Sequence, residues 1–147
     1  MAFLSSLNIG GSGLTAQRFR MDIISQNIAN SETTTTESGK AYARKSVVMQ
    51  EKNGNSSFSD VLGNSNASGK AGQGVEITSV QEDDTAFKLV YDPTNAAADE
   101  TGYVKYPDIN MVEEMMDLMS ATRSYQANVT SINAVKEMAT SALKIGK

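Results

Sequence analysis

The chain has 147 residues, enough for one modest domain with extensions, and contains no Cys, His or Trp. Those absences remove zinc sites built on His or Cys, Ser-His-Asp and Cys-His catalysis, and structural disulfides. The net charge of −4 is carried by residues 31–107, with 7 basic and 11 acidic residues, so no basic stripe is available to neutralise the phosphates of a nucleic acid.

The opening Met1-Ala2-Phe3-Leu4-Ser5-Ser6-Leu7 lacks the basic n-region and continuous apolar h-region of a signal peptide. No apolar run reaches the ~20 residues of a membrane span. Steps of four and three from Phe3 give Phe3, Leu7, Gly10, Leu14, Gln17, Met21, Ile24 and Ile28, with six of these eight large and apolar, which predicts a helix over 3–30. Gly10, Gly11 and Gly13 fall inside it, each costing roughly 0.5–1 kcal/mol relative to Ala, so fraying or a kink is expected there. The same cluster is no phosphate loop, because no strand precedes it and no Gly-Lys-Ser/Thr closes it. Asn30 reads as a helix terminator, since Asn caps and tolerates left-handed backbone angles. Asn27, one turn earlier, has no such local reason.

From Ser31 to Ser38 the chain is polar, with threonines at 33 to 36, and reads as a connector. Tyr42 to Gln50 is a plausible strand. Residues 53–74 hold Gly54, Gly63, Gly69, Gly72 and Gly74 without a period, and a flexible loop is expected. Val75-Glu76-Ile77-Thr78 and Phe87-Lys88-Leu89-Val90-Tyr91 alternate as strands, and Gly102 to Tyr106 follows the Asp92-Pro93 turn and a polar loop. The acidic run Glu82-Asp83-Asp84 is the one carboxylate cluster, but adjacent residues point to alternate sides, so it is expected to be a solvated turn rather than a metal or acid–base site. Neither a cofactor nor a small-molecule substrate is expected.

Pro107 and Asp108 stop the preceding segment, and Asn110 with Glu113 has capping-box spacing. Stepping from Met111 gives Met111, Met115, Leu118, Thr122, Tyr125, Val129, Ile132, Lys136, Ala139 and Leu143, broken only by Thr122 and Lys136. Met111, Met115, Met116, Met119 and Met138 supply adaptable thioethers, and Gly146 suits a C-cap. Tyr125 and Gln126 could anchor helix contacts, with Asn128 and Asn133 as polar register groups. Helices of this length run about 40–55 Å, longer than a domain of ~150 residues needs for its own core, so part of each stripe should face another chain. The expected class is mainly α with a small β-containing middle (α+β), divided as 1–30, 31–107 and 108–147.

Ser25-Gln26-Asn27-Ile28-Ala29-Asn30, with Thr33 and Thr34 beyond, resembles the N-terminal signature of the axial rod and hook proteins of the bacterial flagellum. Tyr42-Ala43-Arg44-Lys45-Ser46-Val47-Val48, Gly74-Val75-Glu76-Ile77, Val90-Tyr91-Asp92-Pro93, Gly102-Tyr103-Val104 and Ala121-Thr122-Arg123-Ser124-Tyr125-Gln126-Ala127-Asn128-Val129 continue the resemblance in order, with Asn133, Ala134 and Lys136 beyond them. Together they are most similar to proximal-rod members.

The resemblance implies a rod subunit exported by the flagellum's own type III apparatus, without a Sec signal, into the periplasmic part of the basal body. It implies other rod proteins, copies of itself and the MS-ring or export-gate junction as partners. It also implies N- and C-terminal helices that pair as a coiled-coil-like hairpin in the inner tube, with the β-containing middle outward. The residues expected to pack between subunits are Leu14, Met21, Ile24, Asn27, Ile28, Asn30, Met115, Leu118, Tyr125, Gln126, Asn128, Val129, Ile132 and Asn133. The rival readings are a cytoplasmic coiled-coil adaptor or secretion chaperone, which would show the same stripes, and a peptidoglycan hydrolase, for which no paired carboxylates are found.

Overall fold

Helical spacing at both ends becomes two long helices in the computed structural model, which describes residues 2–52 and 73–145. The order is α1 (Ala2–Ala29), β1 (Arg44–Glu51), β2 (Val75–Asp83), β3 (Phe87–Tyr91), β4 (Tyr103–Pro107) and α2 (Met111–Ile145). The class is mainly helical with a small β region. The loop expected over 53–74 lies outside the described residues except for Gln73 and Gly74. β1 pairs with β2, and β3 pairs with β4, as two separate two-stranded sheets. β2 runs on through Glu82 and Asp83, so the expected turn is shorter and starts later than its composition implied.

The chain forms two compact units, one from Met1–Arg18, Met49–Thr78 and Arg123–Lys147, the other from Phe19–Val48 and Ser79–Thr122. In the first unit the glycine cluster neither frays nor kinks α1, which is unbroken over 28 residues. The reason is tertiary. A Cβ on Gly10 would sit 2.8 Å from Ile132 Cγ1, and one on Gly13 would sit 3.0 Å from Asn128 Nδ2, so α2 lies where side chains would otherwise be. Close packing offsets the propensity cost that the sequence suggested. The Ser12 hydroxyl donates to the Ile9 carbonyl at 2.7 Å and accepts the Val75 amide at 3.1 Å, which ties the start of β2 to α1.

In the second unit, β3 and β4 are antiparallel with Leu89 opposite Lys105 and Tyr91 opposite Tyr103. The two tyrosine rings meet edge to face at 5.3 Å. Gly102 permits this, because its φ is +80° and a Cβ there would lie 2.9 Å from Tyr91 Cε2. The connecting loop is held by its own side chains: Asp92 Oδ1 accepts the Thr94 amide and hydroxyl at 3.2 and 2.7 Å, and Asn95 Oδ1 accepts the Ala97 amide at 3.1 Å. Val104 is buried beneath the pair. Asn110 caps α2 as expected, its Oδ1 accepting the Val112 amide at 3.2 Å while its carbonyl takes the first intrahelical bond from Glu114.

Among the buried and half-buried residues of α2 is the row Glu114, Leu118, Ala121, Tyr125, Asn128, Ile132, Val135 and Ala139, again in steps of four and three. Half of these are one residue earlier than the counted stripe. Leu118, Tyr125, Ile132 and Ala139 are common to both rows, and Met111, Thr122 and Val129 of the counted stripe are half-buried too, whereas Met115, Lys136 and Leu143 are exposed. Counting large apolar residues passed over the buried Ala121, over Glu114, whose carboxylate is paired with Arg44, and over Asn128, which lies against Gly13. Thr122 is not a fault in the seam, because its hydroxyl lies 3.4 Å from the Met21 sulfur of α1, whereas Lys136 is exposed. On α1 the deepest positions are Ala16, Ile23, Ile24 and Asn27 rather than the full counted row.

Candidate functional site

The second unit encloses a polar network at Asn27. This side chain and that of Glu114 are each only 1% exposed. Asn27 Nδ2 donates to the Lys45 carbonyl at 2.8 Å and to Glu114 Oε2 at 3.1 Å. Asn27 Oδ1 accepts the Tyr42 hydroxyl at 3.1 Å and the Lys45 amide at 3.0 Å. All four hydrogen-bonding sites of the amide are used. The other oxygen of Glu114 takes Arg44 Nε at 2.7 Å, and a second guanidinium nitrogen lies at 2.7 Å from the same oxygen. A carboxylate this deep requires such a partner, because an unpaired buried charge is costly. Burial, followed by the nearby charges of Glu82 and Glu114, raises the Tyr42 phenol above its ordinary value.

Asn27 therefore has the tertiary reason that its sequence context withheld. Glu114 and Arg44 were not singled out from the sequence. The signal was present, since Glu114 stands three residues after Met111 and seven before Ala121, an acid on the inward helical face. Its place in the first turn of α2 offered the helix dipole as a sufficient explanation instead.

The remaining packing residues do not form one cluster. In the second unit, Ile24 is buried, Ile28 and Leu118 are half-buried, and the half-buried Met21 sulfur accepts the Thr122 hydroxyl at 3.4 Å. Asn30 ends α1 through its side chain, with Nδ2 donating to the Gln26 carbonyl at 2.9 Å, and no left-handed backbone is used. Arg20 and Asp117 form an ion pair at 3.6 Å. In the first unit, Leu14, Tyr125 and Val129 are half-buried, Asn128 and Ile132 lie against Gly13 and Gly10, and Gln126 and Asn133 are exposed. Within each unit the paired positions rise along α1 as they fall along α2, so the two helices are antiparallel there.

One face of α2 is uncovered. Val112, Met115, Met116 and Met119, spaced i, i+3, i+4 and i+7, are 66, 50, 56 and 54% exposed. Glu114 points the other way, into the unit. Large apolar side chains grouped on one face, rather than scattered, are the mark of a surface that is covered by something else.

The acidic run does not converge. Glu82 faces Lys45 at 3.3 Å, and Asp83 Oδ1 accepts the Thr85 hydroxyl at 2.7 Å, a bond that lowers the Asp83 carboxyl below its ordinary value. A cleft of about 560 Å³ in the second unit is lined by Lys40 and Lys105 but also by Asp84 and Asp99, and so shows no preference for either sign of charge.

Residues 7–35 match the family described as flagella basal body rod protein, and residues 100–145 match the flagellar basal body rod FlgEFG protein C-terminal family. The flagellar basal-body rod protein FlgC of Bacillus subtilis is 47% identical over the whole of both chains. FlgC of Borreliella burgdorferi is 41% identical over 99% of this chain and 98% of its own, and FlgC of Salmonella typhimurium is 40% identical over the full length of each. The first match takes in most of α1, and the second takes in β4 and all of α2. The chain belongs to the FlgC family of flagellar basal-body rod proteins and is a structural subunit of the flagellar basal body.

Proposed function

We propose that this subunit packs through α1 and α2 into the inner wall of the rod, against other rod proteins and copies of itself, with the β-containing middle outward. Assembled in this way it encloses the export channel and transmits torque, and the MS-ring or export-gate junction is its neighbour at the base. It reaches the periplasmic part of the envelope through the flagellar type III apparatus. The division into 1–30, 31–107 and 108–147 then corresponds to inner helix, outer middle and inner helix.

The observation that carries this reading is the uncovered face of Val112, Met115, Met116 and Met119. Burying four such side chains is worth on the order of 6 kcal/mol or more before ordering costs, enough to matter in a lattice where each subunit has several neighbours. The cytoplasmic adaptor reading is not favoured, because full-length relatives are rod proteins.

The test uses the open face rather than the seam. Ile132 lies against Gly10 within the chain, so its replacement by Asp would disturb the subunit itself. Met116→Asp and Met119→Asp change side chains that are more than half in solvent. A strain carrying either variant should make a folded subunit but build few rods and swim poorly. Normal swimming with normal rods would refute the assignment.

A further inference from the structure

Four methionines of α2, at 115, 116, 119 and 138, are at least half exposed, and the first three share one face with Val112. Met21, Met49 and Met111 are half-buried, and the Met21 sulfur lies 3.4 Å from the Thr122 hydroxyl, which also reaches the Leu118 carbonyl at 2.8 Å. A thioether is oxidised through its sulfur lone pair, so its rate follows access to the oxidant.

We propose that Met115, Met116 and Met119 form a modification site at which hydroperoxides convert three thioethers to sulfoxides and thereby bar the subunit from packing. The sulfur lone pair attacks one peroxide oxygen, and the S–O bond forms as the O–O bond breaks. The departing oxygen keeps the bonding pair, takes the proton that the transferred oxygen gives up, directly or through water, and leaves as water or an alcohol. Sulfur loses two electrons and the peroxide gains them, so no further reagent is needed.

The consequence follows from where the sulfurs are. A sulfoxide is polar and chiral, and burying it without a hydrogen-bond donor opposes desolvation of the face. Three such groups within eight residues leave no apolar path across the face except Val112. Once packed, the same sulfurs are covered, so the sensitive interval precedes incorporation. The proposal rests on the reading that this face is buried between subunits.

Two measurements test it. Purified chain treated with hydrogen peroxide should gain sulfoxide at positions 115, 116 and 119 roughly tenfold faster than at Met21, as read by peptide mass spectrometry. Equal rates would overturn the proposal. In a strain lacking the protein, the wild-type chain and a Met115→Leu/Met116→Leu/Met119→Leu chain are compared after a hydrogen peroxide pulse during rod regrowth. Leu keeps the apolar volume and helix preference without the sulfur. Relative to its own untreated level, the wild-type strain should lose at least about threefold more new rods than the Leu strain. Equal losses would overturn the proposal. Untreated Met116→Asp separates the two ideas: if it builds rods normally, the packing reading itself fails, whereas blocked assembly with equal peroxide losses removes only the oxidation site.

Discussion

Asn27 of α1 and Glu114 of α2, 87 positions apart in sequence, meet at 3.1 Å with both side chains out of water. The contact holds because each has further partners: Tyr42 and Lys45 for the amide, Arg44 for the carboxylate. It couples both terminal helices to the start of β1 in the second unit.

Replacing Asn27 by Ala removes four hydrogen bonds and leaves Glu114 Oε2 and the Lys45 backbone groups short of partners. A destabilisation of about 3 kcal/mol is expected in urea unfolding of the purified chain, since one unsatisfied buried group costs about 1–3 kcal/mol. Asn27→Asp should cost more, because it brings a second carboxylate to Glu114. A loss under about 0.5 kcal/mol for both would show that the network contributes little.

Arg44→Met should destabilise by about 2–3 kcal/mol, less than the ~3–5 of a fully buried pair, because the Arg44 side chain is 35% exposed. Adding Glu114→Gln should recover part of that loss, since the amide carries no charge to strand. A double-mutant cycle with no coupling would contradict direct pairing.

Neighbouring glycines should respond in opposite directions. Gly11 has open space where a Cβ would go, so Gly11→Ala should stabilise by roughly 0.5–1 kcal/mol through helix propensity. At Gly10 the same methyl meets Ile132 Cγ1 at 2.8 Å, and Gly10→Ala should destabilise. Thermal unfolding of the two variants side by side gives the answer, and equal shifts would rule out the close approach.

The fold sits at different depths in the sequence. Helical period, the Asn110 cap and the strand of Phe87 to Tyr91 are local properties, and all were legible. The phase of the seam was not, because it depends on Glu114 finding Arg44 from a distant strand and brings the small Ala121 inward. Gly10 looked like a weakness for the same reason: its cost is written in α1, and its compensation in α2. Asn27 stood out as lacking a local role, which is how a residue with a long-range role looks from sequence. The subunit-packing residues were chosen partly from the counted apolar rows and partly as polar register and motif residues, and within the subunit Ile24 and Asn27 are buried.

Alkaline conditions should act through Tyr42. The fold raises its pKa above the ordinary 10.0, so the native state favours the neutral phenol. The stability linked to it is complete below pH 10.0 and is lost as pH rises through the higher native value. Wild-type chain should therefore lose stability as pH rises above 10.0 more steeply than Tyr42→Phe, which cannot ionise, although Tyr42→Phe starts about 1 kcal/mol lower for want of the bond to Asn27. Parallel curves would exclude Tyr42 as the alkaline trigger.

The buried carboxylate also imposes an order of events. A chain delivered amino end first presents Asn27, Tyr42 and Arg44 long before residue 114 arrives, so the anion that completes the cluster comes last. Until then the Arg44 guanidinium and one amide hydrogen of Asn27 have only water to satisfy them, although Tyr42 and Lys45 already supply the other three bonds of Asn27. Closure of the whole cluster waits for the second helix, so the anion that neutralises Arg44 arrives only after most of the polypeptide is present.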